Sequence, residues 1–226
     1  MLTPLTFELE RLRLHFYAVE DIHFAPYMSG NVLRGAFGFL LRDVTTSGYV
    51  RIFRPASESG PSGLRDSPRP FVLRAAYLDG CTVKAGEAFH FDVHLFDASM
   101  RDHFTEAFAQ FERAKLEHCE VERISIDLLA AEPASRVGVE FLTPTELKSG
   151  GDVTDRLDFG VLFARLRDRI ATLRTLYGGG PLDIDFRALG ERASAIELID
   201  QRIERIDVER RSSHTGWESS TNRRKR

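Results

Sequence analysis

Apolar and polar residues alternate over residues 12–18, with Leu12, Leu14 and Phe16 on one face and Arg13, His15 and Tyr17 on the other. A period of two marks a strand buried on one side. Ser29-Gly30-Asn31 then supplies cap chemistry for a helix running through about Val44. Its apolar stripe is Val32, Leu33, Ala36, Phe37, Leu40 and Leu41, while Arg34, Gly38 and Arg42 recur at i, i+4, i+8 on another face. A glycine inside a helix costs roughly 1 kcal/mol relative to alanine. Gly35 and Gly38 therefore point to something packed close to the backbone, a neighbouring strand as readily as a ligand. A strand over Phe71–Leu78 follows, broken by Asp79-Gly80, and Glu87–Phe96 alternates with Phe89, Phe91, Val93 and Leu95 inward. Phe104, Ala107, Phe108 and Phe111 mark a second amphipathic helix over 101–117, and Val121–Leu129 reads as a closing strand. The order is β-α-β-β-α-β, that of a ferredoxin-like (RRM-like) unit.

Glu132-Pro133-Ala134-Ser135 reads as a linker, after which the pattern restarts. Val137, Val139 and Phe141 predict a strand, and Leu162, Leu166, Ile170, Leu173 and Tyr177 a helix from about Asp158 to Tyr177. Gly178-Gly179-Gly180-Pro181 stops that helix. A shorter helix over 187–197 and a strand at about 198–208 complete what is legible. The fold class expected is α+β, with tandem ferredoxin-like domains of which the second is incomplete. The domain over 1–132 is whole, the one over 136–210 partial, and 211–226 is a basic polar tail.

Composition changes this picture little: 42% hydrophobic and 29% charged residues suit a globular chain with a real core. The distribution of charge says more. Seven arginines face three acids from Ser29 to Tyr77, a net of +4, whereas Ala85–Glu132 carries eleven acids against four bases, a net of −7. Gln201–Arg226 returns to +4. Two basic ends around an acidic middle suit one face meeting a polyanion and another facing solvent. Only four of the 31 basic residues are lysines. Arginine suits bidentate phosphate contact, though a GC-rich genome yields the same bias.

Candidate chemistry is sparse. Cys81 and Cys119 are too few for a disulfide framework or a cysteine zinc site. His90, Asp92 and His94 share a strand face, but residues i and i+4 on a strand lie about 13 Å apart, too far for one ion. A solvated outer face is the simpler reading, and neither metal nor cofactor is expected. Gly178–Gly180 lacks the Lys-Ser/Thr of a phosphate-binding loop, and no GxSxG or HExxH pattern occurs. The opening MLTPLTFELERL has no apolar core of a signal peptide, and no apolar run is long enough to span a bilayer. A cytoplasmic protein without membrane attachment is expected. The residual candidates are the segment 21–42, DIHFAPYMSGNVLRGAFGFLLR, and VERRSSHTGW at 208–217.

Within them LRGAFGFLLR at 33–42 and RRSS at 210–213, with Tyr49–Phe53, GPSGLRDSPRPFVLRAAYLDG at 60–80, GEAFHFDVHLFD at 86–97, FLTPTELKSGG at 141–151 and the arginine-rich helix, resemble the CRISPR-associated repeat-processing endoribonucleases of the RAMP superfamily. The resemblance implies two tandem ferredoxin-like domains that bind CRISPR repeat RNA. It implies cleavage without metal through the ribose 2′-hydroxyl, leaving a 2′,3′-cyclic phosphate. It also places acid–base groups near the first strand–helix connection, where His23 and Tyr27 stand. Arg34, Arg42, Arg165, Arg169, Arg210 and Arg211 are the residues expected to meet RNA. Phe39 stands where many relatives carry histidine, and the family's closing glycine-rich loop has no counterpart after Thr215, so the chain reads as a C-terminally truncated relative. Three functions stay open: the endoribonuclease, a noncatalytic RNA-binding subunit among other CRISPR effector subunits, and an interaction domain without RNA. Metal-independent cleavage separates the first two, and salt-sensitive RNA binding separates both from the third.

Overall fold

The computed structural model describes residues 5–54, 67–130, 132–149, 152–153, 157–204 and 206. The alternating segment forms a 13-residue strand, β1 (Thr6–Ala18), whose inward residues Leu12, Leu14 and Phe16 are all but fully buried. A two-residue strand, β2 (Ile22–His23), leads to helix α1 (Ser29–Val44) and a second helix, α2 (Thr46–Phe53). Then come β3 (Phe71–Arg74), β4 (Thr82–Val83) and β5 (Ala88–Leu95). Helix α3 (Arg101–Ala109) and a long strand β6 (Ala114–Asp127) finish the unit.

The main sheet is antiparallel in the order β3-β5-β1-β6. Counting only its four strands along the chain, that is 2-3-1-4, the order of a ferredoxin-like unit. The fold is α+β, and β1 lies at the centre between two partners. Helices α1 and α3 cover one face, where Phe37 stacks on Phe104 with ring centroids 3.9 Å apart and Phe91 meets Phe108 at 5.1 Å. Each fully buried phenylalanine contributes about 1.5–3 kcal/mol through apolar burial. One charged residue shares this inward face. Glu10 is 5% exposed and accepts from Arg101 Nε at 3.0 Å and Arg101 Nη2 at 2.6 Å, tying the start of α3 to β1.

Several expected boundaries move. The strand over Phe71–Leu78 ends at Arg74, and Ala76–Leu78 is a 3₁₀ turn. The helix over 101–117 stops at Ala109, so the closing strand starts at Ala114, seven residues before the expected Val121. Helix α1 is not capped by its own first residues: Ser29 N–H donates 2.8 Å to Asp79 Oδ1, and Ser29 Oγ donates to Ala75 O. Of the two helical glycines, Gly38 meets the Phe53 ring of α2, 3.2 Å from where a Cβ would stand, while Gly35 has open space. The close packing inferred for both is real at one, and its source is a helix rather than a strand.

The second half follows the helices more closely than the strands. Helix α4 (Phe159–Tyr177) and helix α5 (Phe186–Ser194) match the apolar periodicity. Gly178, Gly179 and Gly180 all adopt positive φ, and Arg174 curls back to donate to the Gly179 and Gly180 carbonyls, so this turn is satisfied internally. Val137, Val139 and Phe141 pair with nothing and are 41–71% exposed, and the described residues of 198–208 form no strand. A strand needs a neighbour for its backbone groups, and these segments have none among the described residues. Only a short hairpin, β7 (Lys148–Ser149) with β8 (Asp152–Val153), adds pairing there. The Pro/Gly/Ser-rich stretch 54–70 reads in the sequence as a loop; residues 55–66 of it and all of the tail over 211–226 lie outside the described residues.

Candidate functional site

Two places gather functional side chains. The first is the connection from β1 to α1. β2 pairs with β4 in a small ladder of its own, setting His23 opposite Thr82. His23 is exposed, with Nδ1 2.9 Å from Thr82 Oγ1, which fixes the ring and leaves Nε2 facing outward. Asp21 anchors the same connection. The Lys84 ammonium and the Ala85 N–H hydrogen-bond to it, and hold its carboxyl below the usual carboxylate range. Tyr27 is the only non-glycine residue with positive φ, at 61°, among the described residues. That conformation costs a bulky L-residue about 1–2 kcal/mol. It turns the 45% exposed ring toward the second half of the chain. There Tyr27, Val139, Phe141, Pro144, Arg202 and Ile203 help to line a cavity of about 400 Å³.

The arginines occupy two helices. Arg34 is half-buried on α1, and exposed Arg42 places its guanidinium 5.8 Å from the ring centroid of Phe39, itself 59% exposed. The pair is eight residues apart, about 12 Å along the axis. Arg165 and Arg169 stand one turn apart on α4. Arg169 is exposed by surface area, yet desolvation lowers its pKa, with Tyr177 opposing the shift. The Tyr177 hydroxyl donates to Pro68 O, joining the end of α4 to the segment before β3. Arg210 and Arg211 lie outside the described residues.

The second place is the face of the main sheet that no helix covers. It carries Arg11, Arg13 and His15 from β1, His90, Asp92 and His94 from β5, and His118, Glu120 and Glu122 from β6. Arg13 makes a two-pronged bond to Asp92, at 2.8 and 3.1 Å, and Arg11 meets Glu122 at 2.6 Å. Desolvation pushes the Asp92 carboxyl up, but Arg13's hydrogen bond and charge outweigh it, and the net shift is downward. Aromatic and imidazole rings step across the strands from Tyr77 to His90, His15 and His118, with centroids 5.2, 5.6 and 4.2 Å apart. Desolvation lowers the pKa of both His90 and His94. The expected solvated face is thus half-buried and internally bonded. His15 and His118 carry no weight in the sequence, because their meeting depends on the β1–β6 register. His15 on the polar side of β1 and the spacing His118-Cys119-Glu120 are the only signals present.

An α+β unit of ferredoxin-like strand order, carrying this connection and this face, defines the class of protein. Residues 6–139 match the AF_1859_N family, described as an N-terminal domain, and the chain belongs to that family. The matched span holds β1 through β6. No curated protein matches the chain.

Proposed function

We propose that the chain binds repeat RNA of a CRISPR array in the cavity beside Tyr27 and cuts it without metal, as its resemblance to the RAMP endoribonucleases implies. One observation carries the reading. Tyr27, on the connection where the resemblance implies acid–base groups, and the stretch from Phe141, which carries the resemblance, line the same cavity though far apart in sequence. The chemistry needs a base for the 2′-hydroxyl, an acid for the leaving oxygen and cations beside the phosphorus. In the tautomer that donates Nδ1–H to Thr82 Oγ1, His23 offers Nε2 as the base. The 2′-oxygen attacks phosphorus, the bond from phosphorus to the 5′-oxygen breaks, and Tyr27 protonates that oxygen. The products are a 2′,3′-cyclic phosphate and a 5′-hydroxyl. Arg202 lines the cavity, and Arg34, Arg42, Arg165 and Arg169 extend the cationic contact to RNA. Other CRISPR effector subunits are the fitting protein partners. The reading places its action in the cytoplasm; among the described residues no helix is long and apolar enough to cross a membrane.

Single-turnover cleavage of labelled repeat RNA, with protein in excess and EDTA present, tests this. His23→Ala and Tyr27→Phe slow cutting by about 10²–10⁴-fold while RNA affinity holds, and a 2′-deoxy substitution at the cut site abolishes it. Tight, salt-sensitive binding without cutting shifts the reading to a noncatalytic RNA-binding subunit. Salt-insensitive or absent binding overturns it.

A further inference from the structure

We propose that His15, His118 and Glu120 form a binding site for a divalent transition ion of the zinc class on the open face of the sheet. The backbone builds the cluster. A bulge at His15/Phe16 pairs His15 with His118 and Phe16 with Leu116, leaving Glu117 as the extra residue. The register that runs from Thr6 sets His15 opposite His118, and the shift begins only at Phe16. Glu120, two residues beyond His118, points to the same side because strand side chains repeat every two residues. Directly opposed and i, i+2 positions are the nearest neighbours a sheet face offers.

The distances fit. Glu120 Oε1 lies 3.2 Å from His15 Nε2 and 3.8 Å from His118 Nε2, and the three donor atoms are all within 4.8 Å of one another. Zinc–ligand bonds of about 2.0–2.1 Å place two ligands of a tetrahedral ion roughly 3.3 Å apart. Closing the remaining gap needs side-chain rotation of His118, which is 57% exposed on an edge strand. A second observation points the same way. His15 Nε2 is shut away from solvent and has no hydrogen-bond partner, although Glu120 is near. A buried polar atom in that condition is rare in a folded protein. The neighbouring charges leave the site intact, since Asp92 is taken by Arg13 and Glu122 by Arg11, whereas the Glu120 carboxylate lies within 4 Å of both imidazoles.

Two imidazoles and one carboxylate suit zinc, copper or nickel and not magnesium or calcium, which take oxygen ligands. Three protein ligands leave the outward position to water. The site stands on the sheet face opposite α1 and α3, so it is independent of the cavity at Tyr27 and of the RNA reading. The test is titration of the full, chelator-stripped chain with zinc chloride by calorimetry, alongside cobalt(II) absorption. One equivalent binds, and bound cobalt shows the visible bands of a four-coordinate site. His118→Gln and Glu120→Gln each weaken zinc at least about tenfold, whereas His94→Gln on the same face leaves it unchanged. Both weakening variants sit on an exposed edge strand, and circular dichroism verifies their folding. The proposal is overturned by no saturable zinc binding, or by binding unaltered in both His118→Gln and Glu120→Gln.

Discussion

Arg101→Ala removes the principal partner of a carboxylate that the fold has taken out of water. The Glu10 side chain is 6% exposed, and Arg101, itself 35% exposed, donates to it through two nitrogens. The remaining cation, Arg123, is 84% exposed and reaches Glu10 by a single 3.3 Å contact. Removing one partner of a fully buried pair costs about 3–5 kcal/mol. Solvent on the arginine side and the residual Arg123 contact reduce this to roughly 2–4 kcal/mol, in line with charged hydrogen bonds at about 1.5–3 kcal/mol. At about 2–4 °C per kcal/mol for a chain of this size, the melting point falls by roughly 5–15 °C. Urea unfolding followed by far-ultraviolet circular dichroism measures it. The double variant Glu10→Leu/Arg101→Leu recovers most of the loss, because position 10 shares its face with Leu12 and Leu14 and a hydrophobic pair replaces a buried ion pair at little cost. A loss below about 1 kcal/mol in Arg101→Ala, or a double variant no better than the single one, refutes the reasoning.

Acidification destabilises the fold before its carboxylates titrate. Burial lowers the pKa of His90, which faces Arg13, Asp92 and His15, and of His94, which faces Arg74, Arg11 and Asp92. The unfolded chain takes up protons near the ordinary histidine value of 6.5 while the folded chain resists, so stability is lost as pH falls below 6.5. The urea midpoint drops between pH 7.5 and 5.5, less so in His94→Gln, and equal midpoints count against it. Two glycine variants move in opposite directions. Gly35→Ala gains up to about 1 kcal/mol on an exposed helical position with open space. Gly48→Ala sets a Cβ 2.6 Å from Thr45 Cγ2 and 3.3 Å from His103 Nε2, and loses about 1–2 kcal/mol by overpacking in the same urea assay.

The elements legible in the sequence are those whose own residues carry the period. Phe89, Phe91, Val93 and Leu95 define β5, and the stripe from Val32 to Leu41 defines α1 within a residue or two. Helix α2 has eight residues, too few for a period to declare itself, and its start depends on the Thr45 hydroxyl accepting from Gly48 N–H. Val137, Val139 and Phe141 alternate as a strand would, but alternation speaks only of a face and not of a partner to bond. The candidate site divides along the same line. His23 and Tyr27 stand out only through the resemblance, which implies acid–base groups on that connection, and the left-handed turn at Tyr27 has no signature in Ala25-Pro26-Tyr27. The meeting of His15 with His118 joins residues 103 positions apart across a bulge, and no local pattern encodes that register.

The central place of β1 also sets the timetable of folding. It leaves the ribosome before both of its neighbours, β5 and β6, which come from much later in the chain. From Ala18 to Leu95 the ribosome adds about 77 residues, roughly 4–15 s of synthesis. Through that interval Leu12, Leu14 and Phe16 lack a complete partner strand, and β6 is finished only about 32 residues later, at Asp127. The apolar face of β1 therefore waits in the nascent chain for partners made much later, β5 first and the edge strand β6 last.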